Sequence, residues 1–349
     1  MSQPTVSVVM CTYNGAKYLR QQLDSILQQT YPLLEVIVQD DQSTDDTLQV
    51  LREYADRYPQ LVKVFVRAQR TGINDNFFTA IDRACGDYFA ISDQDDVWAS
   101  DKIARQVAQL EASGNWVSSH CSPKYDGQTP TDQIPYDHRM PNFGLERLMY
   151  NGPLFGHTLL VRRSFYEWFR SQVSDEQMRE CGHSICYDGL ISFTASAYGK
   201  VDYLVVPLTF HRFHQTSQSY NEHRDNSQHN VSNAIHMVWG CLSPRKRRLA
   251  RPILSARWRR VYDFWHLFPD APCVEPAFRL IRSFLDRTPR GYVQFLWYSV
   301  KYRDRIFFCR SKGLTQLVRA LLNRITIYDR YIQYIDHPLT DWTRVPEVK

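Results

Sequence analysis

The first hundred residues alternate short apolar runs with amphipathic stretches. Val6 to Cys11 is rich in β-branched residues and reads as a buried strand, and Thr12-Tyr13-Asn14-Gly15 breaks it with turn residues. Leu19, Leu23, Ile26 and Leu27 recur at helical spacing, which predicts an amphipathic helix over 16–29 that ends at Tyr31-Pro32. Leu34 to Val38 predicts a second strand, closed by Gln39-Asp40-Asp41. Ser43-Thr44-Asp45-Asp46 then offers hydroxyls and carboxylates to the free N–H groups of a helix start, and that helix reaches about Tyr58. Val62 to Val66 predicts a third strand and Asn76 to Ala84 a helix. Tyr88 to Ile91 predicts a fourth strand that stops at Ser92-Asp93-Gln94-Asp95-Asp96.

This alternation of strand and helix is an α/β signature with a parallel sheet. Ligands of such sheets sit outside the carboxyl ends of the strands. The polar residues at those ends are Thr12-Tyr13-Asn14, Asp40-Asp41 and Asp93-Gln94-Asp95-Asp96, and side chains of this kind are costly to bury unless partnered. Asp93-Gln94-Asp95 has the form DxD, in which alternate residues of an extended turn direct two carboxylates to one point. Hard oxygen ligands of this kind suit Mg²⁺ or Mn²⁺, which usually also bind substrate phosphates. Neither a GxxxxGK[ST] loop nor a GxGxxG fingerprint occurs, so phosphate handling is expected to rest on a metal.

These residues resemble family 2 glycosyltransferases, which have a GT-A fold. The resemblance lies in Val6 to Gly15, in Leu23-Asp24-Ser25-Ile26-Leu27-Gln28-Gln29-Thr30-Tyr31 and in Val36 to Asp45. Asp93-Gln94-Asp95-Asp96-Val97-Trp98 is similar to the DQDD[VI]W version of rhamnosyltransferase-like members. The likeness is close over 5–110 and looser to about 220. It implies that Thr12, Tyr13 and Asn14 line a nucleotide pocket and that Asp41 reads a pyrimidine base. It also implies that Asp95 holds the metal on the diphosphate, with Asp93 near the ribose or donor sugar. Asp40 is expected to brace the loop.

Inverting transfer needs a carboxylate to take the acceptor hydroxyl proton. Asn151 to Val161 resembles the family segment usually written GCT, with His157 as its middle residue. Ser184 to Ile191 is similar to the HDWW segment and begins a helix. Asp188 falls on the family's base, while Tyr187 replaces the His and Gly189-Leu190 the aromatic pair. An N-cap role for Asp188 is compatible with the same position. Gly199 to Leu208 looks like the last strand, and His211-Arg212-Phe213-His214 follows where relatives have a YRQHG-type segment. His214 would ligate the metal or bind the diphosphate, and Arg212 would pair with phosphate.

Charge adds a boundary that the apolar pattern does not show. Residues 1–240 carry 20 Lys and Arg against 28 Asp and Glu, a net −8. Residues 241–349 carry 22 against 9, a net +13, and the whole chain is +5. The expected organisation is a catalytic domain over 1–220, a polar connector or lid over 221–240, and a basic, aromatic-rich helical region over 241–349. Cations interleaved with aromatics on helices suggest a surface facing anionic lipid. A simple helical subdomain packed on the core is the plainer reading. Nucleic acid is not expected as a partner, because no motif for it accompanies the basic region and the acidic front would repel phosphates. There is no run of 18 apolar residues, no signal-peptide pattern and no CxxC pair among the eight cysteines. A cytoplasmic chain follows, with a peripheral foothold on the inner face of the cell membrane left open. The function expected is metal-dependent transfer from a UDP- or dTDP-sugar, dTDP-rhamnose being suggested by the resemblance. The acceptor would be a saccharide or lipid-linked sugar in cell-surface polysaccharide synthesis. A nucleotidyltransferase, or a non-catalytic binding protein with a membrane- or nucleic-acid-binding basic tail, is the alternative.

Overall fold

A computed structural model describes residues 3–134, 144–146, 154–182, 185–214, 242–307 and 313–328. The connector expected over 221–240 lies outside these residues. The strands β1 (Val6–Thr12), β2 (Glu35–Asp40), β3 (Val62–Val66) and β4 (Tyr88–Ser92) pair in parallel in the spatial order β3-β2-β1-β4. The helices Ala16–Leu27, Thr47–Arg57 and Ile73–Ile81 connect them. Three of these strands run one or two residues past the apolar stretch, so Thr12, Asp40 and Ser92 are strand residues themselves. The helix expected to begin at Asn76 begins at Ile73.

Beyond β4 the sheet changes direction. β8 (Leu160–Arg162) lies antiparallel between β4 and β6 (Val117–Cys121), and β9 (Val201–Pro207) closes the edge parallel to β6. A small second sheet orders β5 (Val97–Trp98), β10 (Thr209–Arg212) and β7 (Lys124–Tyr125) as β5-β10-β7. It brings the segment after Asp96 against the segment that carries His211 and Arg212.

Strand alternation splits the apolar side chains between two cores. Val6, Val8, Met10, Val36 and Val38 face the helices Ala16–Leu27, Thr47–Arg57 and Lys102–Ser113. Val9, Ile37, Phe89 and Ile91 face the opposite side, with Ile73–Ile81, Arg163–Gln172 and Tyr187–Ala197. This second core continues without a break into the C-terminal helices Pro244–Trp265, Glu275–Leu285, Pro289–Lys301, Arg303–Ile306 and Leu314–Thr326. Phe193 meets Trp265 edge to face at 5.9 Å, which fastens the helix Tyr187–Ala197 to the extension. Trp258 is fully buried against Phe284, at 4.8 Å between ring centres, and Phe295, at 6.4 Å. The basic C-terminal region therefore packs on the sheet through much of its aromatic content.

Trp258→Ala is expected to lower stability by about 3–5 kcal/mol, because it empties an aromatic site in a packed core. Urea unfolding followed by tryptophan fluorescence checks this. An unchanged midpoint would mean that Trp258 does not fill a packed site between the C-terminal helices.

Candidate active site

The turn after β1 is shaped by a side chain from the turn after β4. Gln94 Oε1 accepts the Tyr13 N–H at 2.9 Å, and Gln94 Nε2 donates to the Tyr13 carbonyl at 3.1 Å. A Cβ on Gly15 would lie 2.2 Å from Gln94 Oε1, so the glycine is what lets the clamp close. Asn14 adopts φ +50°, its amide donates to Ser43 Oγ at 2.9 Å, and its Oδ1 accepts from the Thr44 amide at 2.8 Å. Thr12 is buried and donates its hydroxyl to Asp40 Oδ1 at 2.8 Å, so of the three expected pocket residues only Tyr13 and Asn14 reach the surface. Asp40 also accepts from the Ser43 amide at 2.8 Å and braces the loop as expected. Asp41 is buried too, its two oxygens accepting from the amides of Thr71 at 2.9 Å and Gly72 at 3.0 Å. Arg70, which the sequence did not single out, lies 3.9 Å from the Tyr13 ring centre and 4.0 Å from Asp41.

The carboxylates of Asp93, Asp95 and Asp96 are met by three histidines. Asp95 Oδ2 is 2.8 Å from His214 Nε2, which joins the two residues expected to hold a metal. Burial raises the Asp95 pKa, and repulsion from Asp96 and Asp93 adds to it, while His214 works the other way. Asp96 is fully buried. Its Oδ1 accepts from His211 Nδ1 and from the Arg212 amide, both at 3.0 Å. Burial would raise its pKa, yet His157, His211 and the amide outweigh that and hold the carboxyl below its usual range. In turn His211, despite burial, is lifted to about 9 by its bond to Asp96 and by the charges on Asp93 and Asp95. His157 places Nδ1 3.1 Å from Asp93 Oδ2 and 3.6 Å from Asp96 Oδ2, and Nε2 2.9 Å from Ser122 Oγ. Its ring stacks on His211 at 4.8 Å.

Arg212 corrects an expectation. Its guanidinium is buried between the rings of Tyr18 and Tyr125, 4.5 and 4.8 Å from their centres, with Nε donating to the Asp95 carbonyl at 2.9 Å and one Nη to Gln21. It fixes the backbone that carries Asp95 and has no exposed guanidinium face for phosphate. The residues fit a divalent cation on two observations. Asp95 gathers surplus negative charge beside an imidazole, and Asp96 Oδ2 is buried without a hydrogen-bond partner among the described residues. Hard carboxylate oxygens with one imidazole suit Mg²⁺ or Mn²⁺. Asp93, Asp96, His157 and His211 also place ligand-type atoms within 4.8 Å of one another. That cluster is already knitted by internal hydrogen bonds, and the sequence reading missed it apart from Asp93. The doubled Asp95-Asp96 and the HxxH spacing of His211 and His214 were the available signals.

Asp188 sits in the first turn of Tyr187–Ala197, partly exposed at the rim. Its Oδ2 accepts from the Gly156 amide at 3.2 Å and its Oδ1 from the Gly189 amide at 2.7 Å. It is not the N-cap: Cys186 holds that position, and the Tyr187 amide is taken by Asn74 Oδ1 at 2.8 Å. Burial among protein atoms pushes the Asp188 pKa up to about 7, with Asp93 adding to the rise and the two amides opposing it. The 3-10 turn Gly156–Thr158 thus touches both halves of the site, Gly156 holding Asp188 and His157 holding Asp93. Tyr187 requires the glycine, since a Cβ on Gly156 would lie 2.1 Å from its hydroxyl. Behind the turn, Gln106 Nε2 donates to the Thr158 carbonyl at 2.9 Å and accepts through Oε1 from buried Lys102 at 2.8 Å.

Residues 7–169 match the family model for glycosyl transferase family 2. EpsE of Bacillus subtilis, provisionally named a glycosyltransferase, is 36% identical over 181 residues, 51% of this chain and 63% of that protein. The dTDP-rhamnosyl transferase RfbG of Shigella flexneri is 35% identical over 102 residues, 28% of this chain and 35% of that protein. The chain thus spans less than two thirds of the length of these curated relatives. A solved structure of S. aureus TarS 1-349 in complex with UDP covers 95% of this chain and 91% of that one, with a TM-score of 0.53 and 15% identity, a likeness of fold. The strand order, the carboxylate turn after β4 and the matched segment coincide in the same part of the molecule, where residues 7–169 carry the match to glycosyl transferase family 2 on a GT-A fold.

Proposed function

We propose that the chain moves a sugar from a nucleotide-sugar to an acceptor hydroxyl with inversion at the anomeric carbon, in cell-surface polysaccharide synthesis. The observation that carries this reading is Asp188, a rim carboxylate with a pKa near 7 held on the same turn as the donor-side Asp93. Asp188 takes the acceptor hydroxyl proton as the oxygen forms its bond to the anomeric carbon. The bond from that carbon to the diphosphate oxygen breaks, and the nucleoside diphosphate leaves with the electron pair. Mg²⁺ or Mn²⁺ on Asp95 and His214 would offset charge on the leaving diphosphate. Tyr13, Asn14 and Arg70 form the exposed rim beside Asp41, where a pyrimidine would lie. Asp41 Oδ2 retains an acceptor lone pair for the imide N–H of uracil or thymine, since it takes the Gly72 amide while Oδ1 takes both the amide and the hydroxyl of Thr71. The likeness to RfbG supports dTDP-rhamnose among dTDP- and UDP-sugars. A saccharide or lipid-linked sugar is the acceptor.

UDP or dTDP with Mn²⁺ is expected to raise the melting temperature, and chelation to remove the shift. If neither nucleotide stabilises the protein with metal present, the donor assignment fails, and a non-catalytic reading gains. Release of sugar phosphate or pyrophosphate in place of nucleoside diphosphate would instead support a nucleotidyltransferase.

Asp188→Asn is expected to cut transfer by roughly 10²–10⁴-fold, the worth of a positioned base, while nucleotide stabilisation persists. Retained turnover removes Asp188 from the role.

The base acts only when ionised, so its raised pKa makes the rate fall as pH drops through about 7. The limb steepens to roughly tenfold per pH unit well below that point. The residual rate of Asp188→Asn should lack this limb, and an identical profile in the variant would assign it to another group.

A further inference from the structure

The helices Pro289–Lys301 and Leu314–Thr326 pack on each other through Ser299 and Asn323, whose side chains are joined at 2.8 Å. Gly291, Phe295 and Ser299 face inward on the first, and Gln316, Ala320 and Asn323 on the second. The opposite faces should then be polar, and they are not. Val293 is 69% exposed, Trp297 62% and Leu314 75%, with Leu296, Val318 and Leu321 also exposed. On each helix these positions recur at three- and four-residue steps, which makes an apolar stripe turned away from the core.

The charge around the stripes is predominantly positive, although Asp286 lies beside Arg290 and Arg324. Neither helix contains an Asp or Glu, and together they carry Arg290, Lys301, Arg319 and Arg324. The neighbouring helix Pro244–Trp265 has eight Lys and Arg against a single acid, Asp263. Three guanidiniums converge at the edge of the stripe on half-exposed Tyr292. Arg324 lies 3.6 Å from its ring centre and lowers the phenol pKa through a hydrogen bond, and the charges on Arg251 and Arg247 add to the fall. Aliphatic side chains, an interfacial tryptophan and tyrosine, and cations in excess over the adjoining Asp286 carboxylate form the set of contacts that an anionic bilayer surface takes up. A second copy would oppose one positive face to another, and a nucleic acid offers no use for an exposed Val–Leu stripe.

We propose that this face docks the protein on an anionic phospholipid bilayer, with Val293, Leu296, Trp297, Leu314, Val318 and Leu321 entering the headgroup region and Arg247, Arg251 and Arg324 binding lipid phosphate. It deepens the proposed function by placing the domain at the surface where a lipid-linked acceptor resides. No helix among the described residues is long and apolar enough to cross a membrane, so the contact lies in the interface plane.

The full chain is tested by flotation with vesicles of phosphatidylcholine alone and of phosphatidylcholine mixed with phosphatidylglycerol. It should float with the mixed vesicles and much less with the neutral ones. The pair Trp297→Ser and Val318→Ser should weaken binding roughly tenfold or more. Arg251→Ser with Arg324→Ser should erase the preference for phosphatidylglycerol. Stabilisation by nucleotide and Mn²⁺ should be unchanged in the Trp297/Val318 pair, which shows that it folds and separates failure here from failure of the transferase reading. No flotation of the wild type would overturn the proposal. So would flotation insensitive to both variant pairs, or light scattering in which the apolar pair merely breaks a dimer.

Discussion

Carboxylates crowded into one partly buried cleft repel each other, and each loses water on entering. Removing an ion from water costs several kcal/mol even after relaxation. Asp93, Asp95 and Asp96 lie within four residues, and Asp188 feels the charge on Asp93. The surrounding architecture supplies what makes that crowding tenable. His157, His211 and His214 each meet one of the three carboxylates of the turn. The small sheet β5-β10-β7 is the device that delivers two of these histidines and the Arg212 amide to the turn. Lys102, buried on the other side, loses proton affinity by burial, to about 7, although the charge on Asp96 opposes the loss. The polar chain from Lys102 through Gln106 to Thr158 ties that side chain to the turn that holds Asp188.

Much of the front half was legible in the sequence, for a physical reason. The parallel strands and their crossovers follow from local periodicity, and the strand-end rule then points to Asp40-Asp41 and to Asp93 through Asp96, among which the resemblance singles out Asp41, Asp93 and Asp95. Asp188 was reachable from its resemblance, and its position in a first helical turn agrees. Contacts between residues far apart in the chain were not legible. His211 meets Asp96 across 115 residues and His157 meets Asp93 across 64, and nothing local marks either pair. Gln94 was read as the silent middle of DxD, yet it is the clamp that shapes the Tyr13 turn. Arg212 shows the limit from the other side. Its type suits phosphate, but two tyrosine rings and a carbonyl decide where the guanidinium points.

The charge boundary near residue 240 also looks different in three dimensions. It separates two electrostatic regions without separating two cores. The aromatics that seemed to belong with the cations divide into two groups. Trp258, Phe264 and Trp265 are buried, Trp265 meeting Phe193 of the helix Tyr187–Ala197, while Tyr292 and Trp297 stay at the surface among the cations. Because Trp265 packs on Phe193 of the helix Tyr187–Ala197, the cationic face is fastened to Asp188 through packed side chains and no flexible joint is needed between them.

The turn Gly156–Thr158 carries a thermodynamic consequence. Part of the proton affinity of Asp188 comes from the charge on Asp93, and both residues are held by neighbours on that turn. Any positive charge brought to Asp93 weakens the repulsion and makes Asp188 a stronger acid. By reciprocity, ionising Asp188 strengthens the attraction of Asp93 for any such charge. Proton release at Asp188 and the charge state around Asp93 are then linked variables, and a titration of either one reports on the other.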